Sequence, residues 1–284
     1  MKPAPFDYHA PKTLDEALAM LARVAPLEGR VLAGGQSLVP AMALRLAQPA
    51  HLVDINGVQG LDRLERDAGD LVIGARVRHA AFHRRVTDGP LGALLAQVAR
   101  HVAHYPIRTR GTFCGSLANA DPASEWCVVA ATLDARMVAK SARGTRTLSA
   151  ADFFQGAMTT ALAADELLAE ARLPELAPDT RFGFQEFSRR AGDFAIAMAL
   201  ATFRLEKGVM VQARLGVGGV EGRPRRIPEA ESLLEGKRPG QETFRAAADA
   251  AARSVAPLDD SRYPAAYRRD LARAMTRRAL EEAA

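Results

Sequence analysis

The chain has 284 residues, 48% apolar and 25% charged, which is the balance of a globular protein with length for two modest domains. Its two cysteines, Cys114 and Cys127, are too few for a disulfide framework, a four-ligand iron–sulfur cluster or a structural zinc site. The formal net charge of +5 is spread over separated arginine pairs, from Arg84-Arg85 to Arg277-Arg278, without a dense basic run interleaved with aromatics, so no nucleic-acid partner is expected.

The N-terminus, Lys2 to Tyr8, has no apolar signal core, and no stretch approaches ~18 uninterrupted apolar residues. A reduced, cytoplasmic protein without a membrane span is therefore expected. Thr13 to Arg23 has helical periodicity, and Thr13 followed by Glu16 is a capping box. A strand over Arg30–Ala33 ends in Gly34-Gly35-Gln36-Ser37, and a helix over Leu38–Leu46 follows, with Pro40 tolerated in its first turn. His51–Ile55 and Asp70–Val77 are expected strands. His79–Arg85 and Leu91–Val102 are expected helices.

Tyr105 to Pro122 has little periodicity and many glycines and hydroxyls, the composition of a binding loop between helices. A helix over Glu125–Ala131 follows, then a hairpin of Asp134–Ala139 and Thr145–Leu148, a short helix or turn over Ala150–Gly156, and a strand over Leu167–Leu173. Pro174 to Thr180 breaks the pattern and marks a domain boundary. Beyond it are expected a strand (Phe182–Ser188), a helix (Phe194–Ala201), a hairpin (Thr202–Leu205 with Val209–Val217) and two C-terminal helices beginning near Glu242 and Pro264. The pairs Arg268-Arg269 and Arg277-Arg278 lie on the last helix, as solvated surface or as a docking face.

Two glycine-hydroxyl loops, Ala33–Ser37 and Thr112–Ser116, are the features best suited to chemistry. By itself the first fits either a plain chain reversal or an anion nest, in which successive N–H groups and a following helix receive a phosphate. Two such loops facing one another, with the Ser37, Thr112 and Ser116 hydroxyls, would supply the donors a dinucleotide pyrophosphate needs. There is no Gly-x-Gly-x-x-Gly Rossmann fingerprint, no P-loop and no Gly-x-Ser-x-Gly nucleophile elbow. His79 with His83 and His101 with His104 lack a third ligand, and surface or helix-end histidines are expected. Cys114 lies in the second loop without a neighbouring histidine to activate it. Asp121 and Glu125 fit a helix cap and first-turn acid, or a carboxylate accepting from a ribose hydroxyl.

The pair Ala33-Gly34-Gly35-Gln36-Ser37 and Thr112-Phe113-Cys114-Gly115-Ser116 resembles the two flavin loops of the medium, FAD-binding subunit of molybdenum hydroxylases, the carbon monoxide dehydrogenase / xanthine dehydrogenase family. The resemblance spans nearly the whole chain. It includes Phe6-Asp7-Tyr8, His51-Leu52-Val53-Asp54-Ile55, Ile107-Arg108, Ala120-Asp121-Pro122 with Glu125, Phe153-Phe154-Gln155-Gly156, Glu166-Leu167-Leu168 and Ser188-Arg189-Arg190-Ala191-Gly192-Asp193-Phe194-Ala195.

The resemblance implies an α+β chain. Residues 1–175 would form a two-lobed FAD-binding domain of the vanillyl-alcohol-oxidase type, split near residue 57. Residues 176–284 would form the small C-terminal α+β domain of carbon monoxide dehydrogenase flavoproteins. It implies FAD contacts from Val31, Leu32, Ala33, Gly34, Gly35, Gln36, Ser37 and Leu38, and from Thr112, Phe113, Cys114, Gly115, Ser116, Asn119, Asp121 and Glu125. Leu162, Gln185 and Phe194 match further positions near the cofactor in relatives. No catalytic residue and no metal ligand is expected.

The same resemblance implies a partner small subunit with [2Fe–2S] clusters and a large subunit with the molybdenum cofactor, assembled as a dimer of heterotrimers. Electrons would pass through FAD to NAD, oxygen or a quinone. Two other readings stay open: a self-contained flavin oxidoreductase with its own substrate, and an assembly subunit that has lost FAD. The second loop departs from the family's usual Thr-x-Gly-Gly, with Cys114 at the first glycine and Ser116 at a frequent asparagine. If position 114 required positive φ, its Cβ would cost about 1–2 kcal/mol, so either the backbone there is ordinary or the loop is shifted.

Overall fold

The capping box forms as its spacing predicts. The Thr13 hydroxyl accepts from the Glu16 N–H at 3.2 Å, and the Glu16 carboxylate accepts from the Thr13 N–H at 3.1 Å. In the computed structural model, which describes residues 2–284, this starts helix Leu14–Val24, burying Ala17, Leu18, Leu21 and Val24. The helix packs on a parallel three-stranded sheet in which His51–Asp54 lies between Asp7–His9 and Gly29–Leu32.

A second, antiparallel sheet has five strands in the order Leu64–Asp67, Asp70–Gly74, Leu167–Pro174, Arg136–Ser141 and Gly144–Ser149. Helices Gly89–Val98, Phe113–Asn119 and Glu125–Thr132 contribute to the same core. At its centre the rings of Phe82, Phe113 and Trp126, all fully buried, lie 5.0–5.6 Å apart.

The remaining chain forms an antiparallel sheet of Arg181–Phe187, Ala197–Glu206, Val209–Gly218 and Arg225–Arg226, covered by helices Pro228–Leu234, Gln241–Ser254 and Ala265–Ala283. Its central strand is shared by two hydrophobic cores. Met198 and Leu200 join the first, while Ala197, Ala199, Ala201 and Phe203 join the second.

That strand corrects the helix expected over Phe194–Ala201. With both faces buried, the segment has no two-residue alternation, and its alanines read as helix formers. Tyr105–Pro122 is also not a plain loop, because it contains helices Tyr105–Arg108 and Phe113–Asn119. His79–His83 is a single 3-10 stretch, and the helix after the first glycine loop ends at Ala43 rather than Leu46, where Arg45 takes φ 59°. Strands Asp7–His9 and Leu64–Asp67 and helix Pro228–Leu234 had no clear periodic signal in the sequence.

The arginine pairs are not uniformly solvated. Arg268 is buried, and Arg226 joins Glu231 and Asp134 at 2.6 Å each. Among the described residues no helix is long and apolar enough to cross a membrane, and no group of three or more His, Cys, Asp or Glu side chains could hold a metal ion.

Candidate functional site

The two glycine loops touch. A Cβ on Gly34 would overlap the carbonyl oxygen of Arg110 and lie 2.6 Å from the Cα of Gly111, so only glycine lets the first loop approach the start of the second. Gly35 turns the chain with φ 73°. Its carbonyl accepts from the Val39 N–H at 2.9 Å, which starts helix Leu38–Ala43.

Two residues not singled out in the sequence join the loops. The Asn56 amide donates to Ala33 O at 2.7 Å, and its oxygen accepts from Arg78, whose guanidinium also donates to Arg110 O. Asn56 follows the strand His51–Asp54, and Asn56-Gly57 reads in the sequence only as a strand-ending turn. Arg78 precedes the 3-10 stretch and has no motif around it. Neither position carries a local signal, because each matters only once the loops meet.

This junction is rich in positive charge. Arg76, Arg78 and Arg110 form no ion pair with any acid among the described residues; the ion pairs lie elsewhere. Burial, followed by the charges of Arg110 and Arg76, lowers the Arg78 pKa, with Asp54 a partial offset. An anion here would relieve that crowding.

In the second loop, Thr112 caps helix Phe113–Asn119, its hydroxyl accepting from the Gly115 N–H at 3.0 Å. Phe113 and Cys114 point into the core, so only their backbone can face a ligand. Cys114 has no positive φ. Its thiol donates to Ile73 O at 3.3 Å, and burial pushes its pKa well up. The loop is therefore neither strained nor reactive at this position, and Cys114 gives no support to a lost cofactor site. Ser37 is exposed and Ser116 half-buried.

Of the two readings of Asp121, the helix cap does not hold. Its carboxylate accepts from the Ala123 N–H at 2.9 Å, and Ser124 occupies the cap position. Glu125 is buried. Loss of hydration raises its pKa, and the neighbouring Asp121 charge adds to the rise. Burial, then Glu125, also raises Glu186, whose carboxylate lies 3.8 Å from His101 Nδ1.

The other expected contacts are more dispersed. The Asn119 amide approaches Met158 Sδ at 3.4 Å, and Leu162 packs against the first core. Gln185 donates to Glu282 at 3.1 Å, on the C-terminal helix. Phe194 stands 72% exposed on the segment between two strands. His79 is not a surface histidine: it is 4% exposed and accepts from the Trp126 indole N–H.

Comparison with known proteins gives matches along the chain. Residues 4–176 match the family described as FAD binding domain in molybdopterin dehydrogenase, and residues 182–283 match the CO dehydrogenase flavoprotein C-terminal domain. The nicotine 6-hydroxylase medium subunit of Paenarthrobacter nicotinovorans is 37% identical over all of this chain and 99% of its own. The carbon monoxide dehydrogenase medium chain of Hydrogenophaga pseudoflava is 34% identical, over 100% and 98%. A solved structure of carbon monoxide dehydrogenase from that organism superposes with a TM-score of 0.95 at 35% identity, covering 100% of this chain and 98% of that one. Quinoline 2-oxidoreductase from Pseudomonas putida 86 superposes with a TM-score of 0.91 at 39% identity, covering 100% and 98%.

Proposed function

The chain belongs to the family of FAD-binding medium subunits of molybdenum hydroxylases, and on that premise we propose that its touching glycine loops hold FAD for electron transfer between a partner subunit and an external acceptor. The observation that carries this reading is the junction of Gly34 with Arg110, surrounded by arginines without acid partners. A diphosphate would fit such a place: backbone N–H groups of Ala33–Ser37 would donate to its oxygens, while in the second loop the Phe113, Gly115 and Ser116 N–H groups are already held by Val77 and Thr112, and Arg76, Arg78 and Arg110 would offset its charge.

When bound, FAD supplies the exchange between single electrons from iron–sulfur clusters and electron pairs for the acceptor. The chain's residues bind and orient it. Asn56 and Arg78 keep the two loops at a fixed separation. Leu162 and Phe194 provide apolar surface for the ring system, and Asp121 and Glu125 lie beside the second loop. No side chain of this chain acts as acid or base on the hydroxylated substrate.

The named relatives are chains or subunits of larger complexes. We place this chain likewise, with a [2Fe–2S] small subunit and a molybdenum-cofactor large subunit, as a cytoplasmic dimer of heterotrimers. Two domains, 1–175 and 176–284, follow the same proposal.

Absorbance of the purified chain tests the reading. Flavin bands near one per chain are expected, with bleaching by substrate only when the partner subunits are added. A chain purified without flavin that cannot be reconstituted would overturn it. Bleaching by substrate without partners would replace it with a self-contained oxidoreductase.

A further inference from the structure

A second group of arginines without acid partners lies in the C-terminal unit. An open pocket of about 460 Å³ is lined by Phe187, Arg189, Ile196, Arg262, Tyr263 and Tyr267. Ligand pockets span about 300–1,000 Å³. The pocket floor is built rather than incidental: the Ile196 N–H donates to Phe187 O at 2.8 Å, closing the base of the segment that carries Phe194. The wall is aromatic. The rings of Tyr263 and Tyr267 are stacked, 22° apart in plane and 6.4 Å between centroids.

Arg268 holds this wall in place. Its guanidinium lies 5.4 Å from the Tyr263 ring centroid and donates to Gly219 O at 2.9 Å and to Asp260 at 2.7 Å. Asp260 also accepts from the Arg262 and Tyr263 backbone N–H groups, so its charge is already engaged. Arg189 and Arg262, by contrast, are exposed, and neither side chain pairs with an acid or accepting group among the described residues.

Aromatic faces over an apolar floor suit a flat ring, and two unpaired guanidinium groups beside them suit an anion. We propose that this pocket binds a planar aromatic anion, the ring against Tyr263 and Tyr267 and the anionic group on Arg189 and Arg262. A nucleotide phosphate and an aromatic carboxylate share that chemistry. The pocket uses none of the glycine-loop residues, so the proposal stands independently of whether the chain holds FAD. Its floor nevertheless anchors the segment bearing Phe194, so an occupant braces that segment at its base.

Calorimetric titration of the FAD-saturated full chain with ADP and, separately, with benzoate tests this. Saturation with FAD keeps ADP out of the glycine loops, and flavin absorbance of the same sample reports on that site separately. At least one probe is expected to bind more tightly than about 1 mM. Adenosine and inorganic phosphate, which carry only the ring or only the anion, are expected to bind about tenfold more weakly or worse than ADP if ADP is the probe that binds. ADP as the tighter probe identifies a nucleotide; benzoate identifies a carboxylate. The double variant Arg189→Ala/Arg262→Ala, changed only at exposed positions, is expected to lose about tenfold or more in affinity, and Tyr267→Ala to lose affinity as well. Failure of both probes on the native chain, or unchanged binding by the double variant, would overturn the proposal.

Discussion

Trp126 donates its indole N–H to Nδ1 of His79 across 2.9 Å in the first core. The His79 backbone N–H donates to Gly111 O at 3.0 Å, so this buried pair also fixes the start of the second glycine loop. A core hydrogen bond and a ligand loop are thus mechanically one unit.

His79 must stay neutral to accept that bond. Burial, and then Arg78 and Arg108, hold its pKa down to about 3. The unfolded chain takes up the proton near 6.5, so the stability this residue contributes is present above that pH and lost as pH falls toward 3. Between pH 7 and pH 5 the loss is about 2 kcal/mol. Urea denaturation of the native chain and of His79→Leu at both pH values measures it. The variant is expected to be less stable at pH 7 by about 1–3 kcal/mol, from the unsatisfied indole N–H, and to lack this part of the acid sensitivity.

Glu186 has the opposite sign. Its side chain is 3% exposed, one carboxylate oxygen has no hydrogen-bond partner, and burial followed by Glu125 raises its pKa. Its favourable contribution is complete below the ordinary carboxylate value and lost as pH rises through the raised one. Glu186→Gln keeps the shape without the charge. It is expected to raise stability at pH 8 by about 1–3 kcal/mol and to leave it unchanged near pH 4. A denaturation midpoint unchanged at pH 8 would show that the carboxyl is accommodated there as an anion.

Gly34 is the most demanding position of the first loop. In Gly34→Ala the new Cβ meets backbone, Arg110 O and Gly111 Cα, which cannot swing away as a side chain can. The loops must separate, and flavin retention is expected to fall by about tenfold or more with the circular dichroism unchanged. The ratio of flavin to protein absorbance after gel filtration is the measurement. Full flavin content would remove the loop junction from the site.

Cys114→Gly tests what the cysteine contributes. The residue is helical and buried, so glycine loses both helix propensity and packed surface, a cost of about 1–2 kcal/mol. Flavin content is expected to stay unchanged, because the side chain faces Ile73 rather than the loop. In the native fold the thiol is expected to resist thiol reagents until denaturant is added.

Local chemistry was legible wherever it is settled within a few residues. Thr13 and Glu16 cap their helix from spacing alone, and the glycine turn after Leu32 lies where the strand was expected to break. The cap reading of Asp121 failed because a turn and a helix cap use the same residue types, and the two differ only in which N–H the carboxylate meets. Ala197–Ala201 was misread because burial on both faces erases the period that distinguishes strand from helix.

The amino-acid order by itself determined the first glycine turn, the capped start of the first helix at Thr13 and the family resemblance, since these rest on backbone freedom and short-range hydrogen bonds. Only the tertiary structure decided that Gly34 lies against Arg110, that Asn56 and Arg78 join the two loops, and that three arginines meet there without an ion-pair partner, Asp54 only partly offsetting Arg78. Those contacts link residues far apart in the chain. Their partners become neighbours only after the sheets and the shared core bring the segments together, so no local pattern encodes them.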